Sequence, residues 1–263
     1  MINFLKYKFI YFGFSILVIL TGLFFIFKFG LPLSIDFTGG SNISYKINNK
    51  VVNLRTEPLS QKQEIEIRLK MEKESKSKIE VLLFETVGPS VGKDAVNKTI
   101  IASVLGILAI LLYIAFAFKG FNFALAAILA LFHDILVLVG VYAIVSYFFK
   151  AEVDTLFITA ALTTMSFSVH DTIVIFDKIR EYIKEHGKGD IERLANKALT
   201  ETMVRSLNNS MTIVFMLLAL ILFGGSTIKF FIVALLIGTI TGTYSSPFIA
   251  TPILVWLEKR NKK

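Results

Sequence analysis

The chain has 263 residues, of which 54% are hydrophobic and 18% are charged, and its formal net charge is +8. This apolar fraction exceeds the average of soluble globular proteins, so the composition argues against a soluble domain. Because cysteine is absent, disulfides and thiolate metal sites are excluded.

The apolar residues form six long runs, each long enough to cross a bilayer as a helix. A hydrocarbon core of ~30 Å needs about 20 apolar residues at 1.5 Å per residue. Transmembrane β-strands would alternate over about ten residues, and these runs do not. The first run is too long for a signal-peptide core, so we expect it to be retained. We therefore predict an α-helical polytopic membrane protein with transmembrane helices at 9–27, 99–118, 121–149, 155–176, 206–227 and 230–257.

Lysine and arginine are concentrated in alternate loops, which predicts the orientation of the chain in the membrane. The opposite short loops carry only Lys150 and Lys229. Both termini are therefore expected in the cytoplasm, and this bias accounts for the net charge without nucleic-acid binding. The cations on the predicted cytoplasmic side are Lys6, Lys8, Lys119, Lys178, Arg180, Lys184, Lys188, Arg193, Lys197, Arg205, Lys259, Arg260, Lys262 and Lys263.

The spans divide the chain into a first helix at 1–30, a polar segment, a helical bundle and a short tail. We expect residues 31–97 to form a small α+β extracytoplasmic domain, with strands at 41–47, 65–71 and 78–87. Residues 98–257 are predicted to form a five-helix bundle with a cytoplasmic loop at 177–205, and 258–263 a cytoplasmic tail.

Within the predicted cytoplasmic loop, Asp190 is placed to cap an amphipathic helix. Ile191, Leu194 and Ala198 would share its apolar face. This pattern predicts a helix lying on the membrane surface or against a partner.

The ionisable residues well inside the spans are His133, Asp134, His170 and Asp171. An aspartate at the centre of a membrane helix costs about 2.5–3.5 kcal/mol on insertion scales, so each acid needs a partner, a proton or a polar cavity. Helical spacing places Thr164 and Ser168 on the face of Asp171, with His170 beside it.

The start of the fifth helix carries a polar stripe, formed by Arg205, Asn208, Asn209 and Thr212. Since the fourth and fifth helices are antiparallel neighbours, a pair between Asp171 and Arg205 is geometrically open. Two interpretations stay open for Asp171: polar contact between helices, or a site that gains and loses a proton. Asp134 has the same two alternatives, as a helix contact or a proton relay.

Other chemistries find little support in the spans. Asp134 and Asp171 lie at different depths and lack the flanking glycines of an intramembrane aspartyl protease. No further ligands accompany the two His-Asp pairs, and there is no phosphate-binding GxxxxGK[ST] motif. We therefore expect no metal, no cofactor and no enzymatic activity. In the last helix, Gly238 and Gly242 with Pro247 and Pro252 indicate either close packing or a flexible gate.

Five motifs in order resemble the SecF branch of the SecD/SecF family of the bacterial Sec protein-export machinery. They are SIDFTGG (34–40), VGPSVGKD (87–94), HDTIVIFDKIRE (170–181), ALTETMVRSLNNS (198–210) and ALLIGTITGTYSSPFIATPIL (234–254).

The resemblance implies an RND-superfamily half-bundle that works with SecD. The implied activity is proton-motive-force-driven assistance of late preprotein translocation across the bacterial cytoplasmic membrane. The implied partners are SecD, the SecY–SecE–SecG channel, YajC and unfolded preprotein. Asp171 and Arg205 match the family positions implicated in proton passage. Asp134 is a further candidate there, and His170, Thr164, Ser168, Asn208 and Asn209 are candidate supporting residues.

One departure from the family pattern is the short segment between Gly40 and Gly88, which shows no clear amphipathic helix to complete a ferredoxin-like domain. Two other functions stay open. One is a purely structural subunit, and the other is a small-molecule exporter of the RND type, for which this segment is short.

Overall fold

The computed structural model describes residues 3–48, 50–75, 77–118, 120–187 and 189–260. Six helical stretches of the described residues are long and apolar enough to cross a membrane, which confirms the predicted fold class. These stretches are Phe4–Phe29, Pro89–Ala117, Phe121–Phe149, Thr155–His186, Ile191–Phe223 and Ser226–Arg260.

Four of the cations used to predict the orientation, Lys119, Lys188, Lys262 and Lys263, lie outside the described residues.

The helices are α1 (Lys8–Phe29), α2 (Ile35–Thr38), α3 (Gln61–Ser75), α4 (Pro89–Ala117), α5 (Phe121–Phe149), α6 (Thr155–His186), α7 (Ile191–Phe223), α8 (Lys229–Ser245) and α9 (Thr251–Arg260). The strands are β1 (Gly40–Ile47), β2 (Lys50–Thr56) and β3 (Ile79–Val87). A π-helical turn, Ser246–Ala250, joins α8 to α9. The contacts group Pro32–Ser103 and Glu152–Thr155 into one compact unit, and the remaining described residues into a larger one.

The larger unit contains the main apolar core. Its buried residues include Phe123 of α5, Phe176 of α6, Leu199 of α7 and Leu254 of α9. Helices α1 and α5 cross at Gly22 and Gly140, where a side chain on Gly22 would overlap the backbone of Gly140. Small residues therefore set this crossing, as is common between membrane helices.

The predicted amphipathic helix after Asp190 is not a separate surface element. Asp190 does cap a helix, since its carboxylate accepts a 3.1 Å hydrogen bond from the backbone of Arg193. That helix is α7 itself, which continues to Phe223. Its apolar face, Ile191 and Ala198 included, is buried in the core of the larger unit. The prediction of a membrane-surface or partner-facing helix was therefore wrong, because periodicity shows an apolar face but not what covers it.

The smaller unit contains a three-stranded antiparallel sheet with the order β2-β1-β3. Ile43, Tyr45 and Ile79 form its buried core. The Tyr45 hydroxyl lies 3.2 Å from the Glu64 carboxylate of α3. Burial, together with the Glu64 charge, raises the pKa of Tyr45 to about 12 and keeps the phenol a donor.

The predicted strand at 65–71 is instead part of α3, which supplies the helix that the sequence did not show. Ser60 and Gln63 form a reciprocal capping box, with the Gln63 amide oxygen 2.8 Å from the Ser60 backbone nitrogen. Glu64 and Met71 turn toward the sheet at helical spacing. The predicted strands at 41–47 and 78–87 are confirmed as β1 and β3.

Candidate functional site

Asp134 of α5 is a buried acid with three side-chain partners among the described residues. The residue is 6% exposed. One carboxylate oxygen accepts hydrogen bonds from Ser168 of α6 and, at 2.8 Å, from Ser245 of α8. The other lies 2.9 Å from Nδ1 of His133. Three helices therefore converge on this carboxylate.

The approach of α8 to α6 depends on the two glycines of the last predicted span. A side chain at Gly238 would overlap Thr164, and a Cβ at Gly242 would lie 2.9 Å from that of Ser168. This contact brings Ser245 to Asp134. The close-packing interpretation of these glycines is therefore supported by geometry.

Asp171 of α6 has a different environment. It is 8% exposed, and the Ser206 hydroxyl of α7 donates a 2.7 Å hydrogen bond to it. Beside it lies a narrow cleft with room for about one water molecule. The other polar side chains that line the cleft are Ser168, Asn209, Ser210, Thr239 and Thr243.

Arg205 does not reach Asp171. Within the described ranges it forms no ion pair, and its side chain is exposed, as are those of Asn208 and Asn209. The residue that α7 directs at Asp171 is the next one, Ser206. Adjacent helix positions point about 100° apart, so pairing through Ser206 turns Arg205 away.

The predicted polar surround of Asp171 is divided between two sites. Thr164 packs against Gly238 and donates to the backbone carbonyl of Ala161. Ser168 bonds to Asp134 while lining the cleft at Asp171. His170 is exposed and borders a separate groove with Tyr113 of α4. Ser168 is thus the one predicted supporting residue that is adjacent to both acids.

The π-helical turn adds a second polar contact between α6 and the last span. The Ser246 hydroxyl lies 2.9 Å from that of Thr172, and Pro247 follows it. Proline has no backbone N–H to donate, which favours a wider turn at this point. π-Turns inside α-helices often occur at functional sites.

Both acids are therefore held by hydroxyl groups among the described residues. A hydroxyl can donate to a carboxylate or accept from a protonated acid. Either protonation state can therefore keep a hydrogen-bond partner, whereas an adjacent arginine would favour the ionised acid. This arrangement suits side chains that gain and lose protons inside a helical bundle.

A family profile described as "Protein export membrane protein SecD/SecF, C-terminal" matches residues 67–260. The chain belongs to the SecD/SecF family. A second profile, the "SecD/SecF GG Motif", matches residues 24–51 and so includes Gly39 and Gly40 at the start of β1.

Relatives support the family along the whole chain. The protein translocase subunit SecF of Thermobaculum terrenum is 39% identical, over 99% of this chain and 95% of its own length. That of Anaerolinea thermophila is 36% identical, over 97% and 94%. The protein translocase subunit SecDF of Bacillus subtilis is 31% identical, and the match covers 98% of this chain but 38% of that relative.

A solved structure shows the same fold. The crystal structure of SecDF, a translocon-associated membrane protein from Thermus thermophilus, matches with a TM-score of 0.86 at 28% identity. The match covers 98% of this chain and 39% of that one. This member of the SecD/SecF family thus spans well under half of the SecDF chain it resembles.

Sequence reasoning did not identify three serine contacts near these acids: Ser206 with Asp171, Ser245 with Asp134, and Ser246 with Thr172. Each was visible as a small polar residue in an apolar helix, but serine is common at helix contacts and carries no direction of its own. His133 also has a feature that only the structure shows. Its Nε2 atom is buried and has no hydrogen-bond partner among the described residues.

Metal chemistry gains no support from the geometry. Across the described ranges, no group of three His, Cys, Asp or Glu side chains is placed to hold an ion.

Proposed function

We propose that this chain is a SecF-type subunit of the Sec protein translocase. In this proposal it works with SecD and uses the proton motive force to assist late preprotein translocation across the bacterial cytoplasmic membrane. The observation that carries the proposal is the pair of buried, hydroxyl-bound acids, Asp134 and Asp171, in a chain whose full-length relatives are translocase subunits.

SecD is the partner that the SecDF relatives support, because this chain does not cover the rest of their length. SecDF relatives contain the matching region within a chain that this one covers to 38–39%. A separate SecD chain would supply the remainder here. The SecY–SecE–SecG channel and unfolded preprotein are the further partners of this proposal, with YajC as an accessory chain. Both termini would lie in the cytoplasm, following the cation bias of the loops.

The direct proton site in this proposal is Asp171. It combines burial with a polar cleft, whereas Asp134 is enclosed by three hydrogen-bonding partners. Ser168 touches Asp134 and lines the cleft, so it would connect the two. Arg205 lies one residue from Ser206 and outside the pair, so it would act on the proton route as a nearby exposed charge.

The free energy of one proton can switch the chain between two conformations only if these are already close in free energy. One proton crossing 100 mV releases ~2.3 kcal/mol. That shifts a two-state equilibrium by a factor of about 50, so the inward and outward forms must start close in free energy.

The test is Asp171→Asn in vesicles that contain this chain, SecD and the SecY–SecE–SecG channel. We expect the stimulation of preprotein export by an imposed proton gradient to disappear, while SecD still copurifies. The matched control is Asp177→Asn, on the same helix, because Asp177 is exposed and pairs with Arg180. Normal proton-driven export by Asp171→Asn would refute the proposal.

A structural subunit is the second candidate, favoured by the bonds that Asp134 makes between α5, α6 and α8. It predicts that Asp171→Asn weakens copurification of SecD in proportion to the loss of export. The same experiment therefore separates the two functions.

A further inference from the structure

The segment around the SIDFTGG motif is joined to the chain that leads into α6. Leu33 and Val153 form an isolated parallel bridge. The Ser34 nitrogen donates to the Val153 carbonyl at 2.9 Å, and the Val153 nitrogen donates to Pro32 at 2.8 Å. The backbone before α2 is thus hydrogen-bonded to the backbone just before α6.

Asp36 makes the contact with α6 itself. Its carboxylate accepts from the Thr155 backbone nitrogen at 3.3 Å and from the Thr155 hydroxyl at 3.0 Å. Thr155 is the first residue of α6, where backbone N–H groups lack helical partners and negative charge is favourable. Asp36 is therefore an N-terminal cap supplied by a distant segment of the same compact unit.

Arg55 ties β2 to both sides of this junction. One guanidinium nitrogen lies 2.9 Å from the Glu152 carboxylate. The other donates to the Leu33 carbonyl at 2.9 Å and to the Thr38 hydroxyl at 2.7 Å. A planar guanidinium that spans three partners fixes their relative positions better than a single contact would.

The two glycines allow the motif to pass closely into the sheet. Gly39 and Gly40 have φ angles of 70° and 126°, which side-chain-bearing residues rarely adopt. A Cβ at Gly40 would lie 2.8 Å from the Thr56 carbonyl oxygen of β2. The backbone between the cap at Asp36 and the start of β1 therefore has little room to change conformation.

We propose that Asp36 is a positioning residue that transmits movement of α6 to the sheet. Helix α6 runs unbroken from Thr155 to His186 and carries Asp171. Displacement of this helix by proton binding would pull on Asp36 through Thr155, and Arg55 and the glycines would pass that displacement to β1 and β2. The inference rests on the proposed proton-driven function, since the helix must move for the cap to transmit anything.

The test compares proton flux with preprotein export in the same reconstituted vesicles. A pH-sensitive dye reports proton flux during translocation, and protease protection of a labelled preprotein reports export. Asp36→Ala removes both cap bonds. We expect export per proton to fall about five-fold, the factor that loss of one helix cap contributes to an equilibrium, with flux changed by less than about two-fold.

Two milder variants distinguish the cap from folding. Asp36→Asn retains a side-chain oxygen for the Thr155 nitrogen, so export per proton should stay within about two-fold of the unmodified chain. Thr155→Val removes the hydroxyl bond to Asp36 but keeps the backbone bond, so it should give an intermediate value. Glu80→Gln is the matched control, because Glu80 is an exposed sheet residue 4.0 Å from Lys46 and away from the junction.

The outcomes are distinct. Unchanged export per proton in Asp36→Ala, or an equal fall of export and flux, would overturn the positioning role while leaving the proposed function intact. If the unmodified chain shows no proton-dependent export, both the proposed function and this inference are refuted.

Discussion

Asp134 and Asp171 are both buried acids in membrane-spanning helices, yet their surroundings differ. Asp134 receives contacts from His133, Ser168 and Ser245, and it is closed in by α6 and α8. Asp171 accepts a hydrogen bond from Ser206 and borders a polar cleft. A carboxylate with several donors is fixed in place, while one with a single donor beside a polar cleft can exchange its proton more readily. In our proposal the first acid therefore holds the helices together and the second exchanges the proton.

The largest effect should come from separating α8 from α6. Gly238→Val would force a branched side chain into Thr164 and should cost about 3 kcal/mol or more of stability. It would also withdraw Ser245 from Asp134. Thermal unfolding of the purified chain in detergent measures this loss.

Gly13→Val is the matched control for that change. A Cβ at Gly13 would have no neighbour within 4 Å among the described residues, so this substitution should change stability by less than about 0.5 kcal/mol. Equal losses at both glycines would show that α8 is not locked against α6.

Next in size is removal of the Asp134 carboxylate. Asp134→Ala leaves the buried Ser168 hydroxyl without its acceptor and the Ser245 hydroxyl with only the 3.3 Å bond to the Gly242 carbonyl, and it should cost about 2 kcal/mol. Combining it with Ser168→Ala should recover part of the loss, because this buried donor is then no longer left unpaired. A greater loss from Asp171→Ala than from Asp134→Ala, in the same unfolding assay, would reverse the comparison.

A smaller effect is expected at Ser206, the one side-chain donor to Asp171 among the described residues. Ser206→Ala should cost about 0.6 kcal/mol, a typical value for a hydrogen bond between membrane helices. We expect a larger change in the pH dependence of proton-driven export than in stability, because the bond lies at the proposed exchange site. Ser166→Ala, at an exposed position of α6, is the control that should change neither.

The smallest effect on stability is expected at Arg205. Because its side chain is exposed and unpaired among the described residues, Arg205→Gln should alter unfolding by less than about 0.5 kcal/mol. A loss above about 1 kcal/mol would instead favour the direct Asp171–Arg205 pair that helical spacing left open.

Much of the fold was predictable from local pattern. The predicted spans at 121–149 and 155–176 begin where α5 and α6 begin. The predicted strands at 41–47 and 78–87 correspond to β1 and β3. The strand prediction at 65–71 was wrong because alternating isoleucines carried more weight than the Ser60–Gln63 capping box and the helix-forming Glu, Lys and Leu around them. The acids were visible as charges in apolar runs, but their partners were not.

What the sequence determined by itself was which segments cross the membrane and which acids they carry, because hydropathy and span length act residue by residue along one helix. What only the tertiary structure decided was the partner of each acid. Choosing Ser206 over Arg205, or Ser245 as a donor to Asp134, depends on helix rotation and on the close approach that Gly238 and Gly242 allow. Successive residues of a helix point about 100° apart. Spacing within a single helix therefore cannot determine which side chains meet between two neighbouring helices.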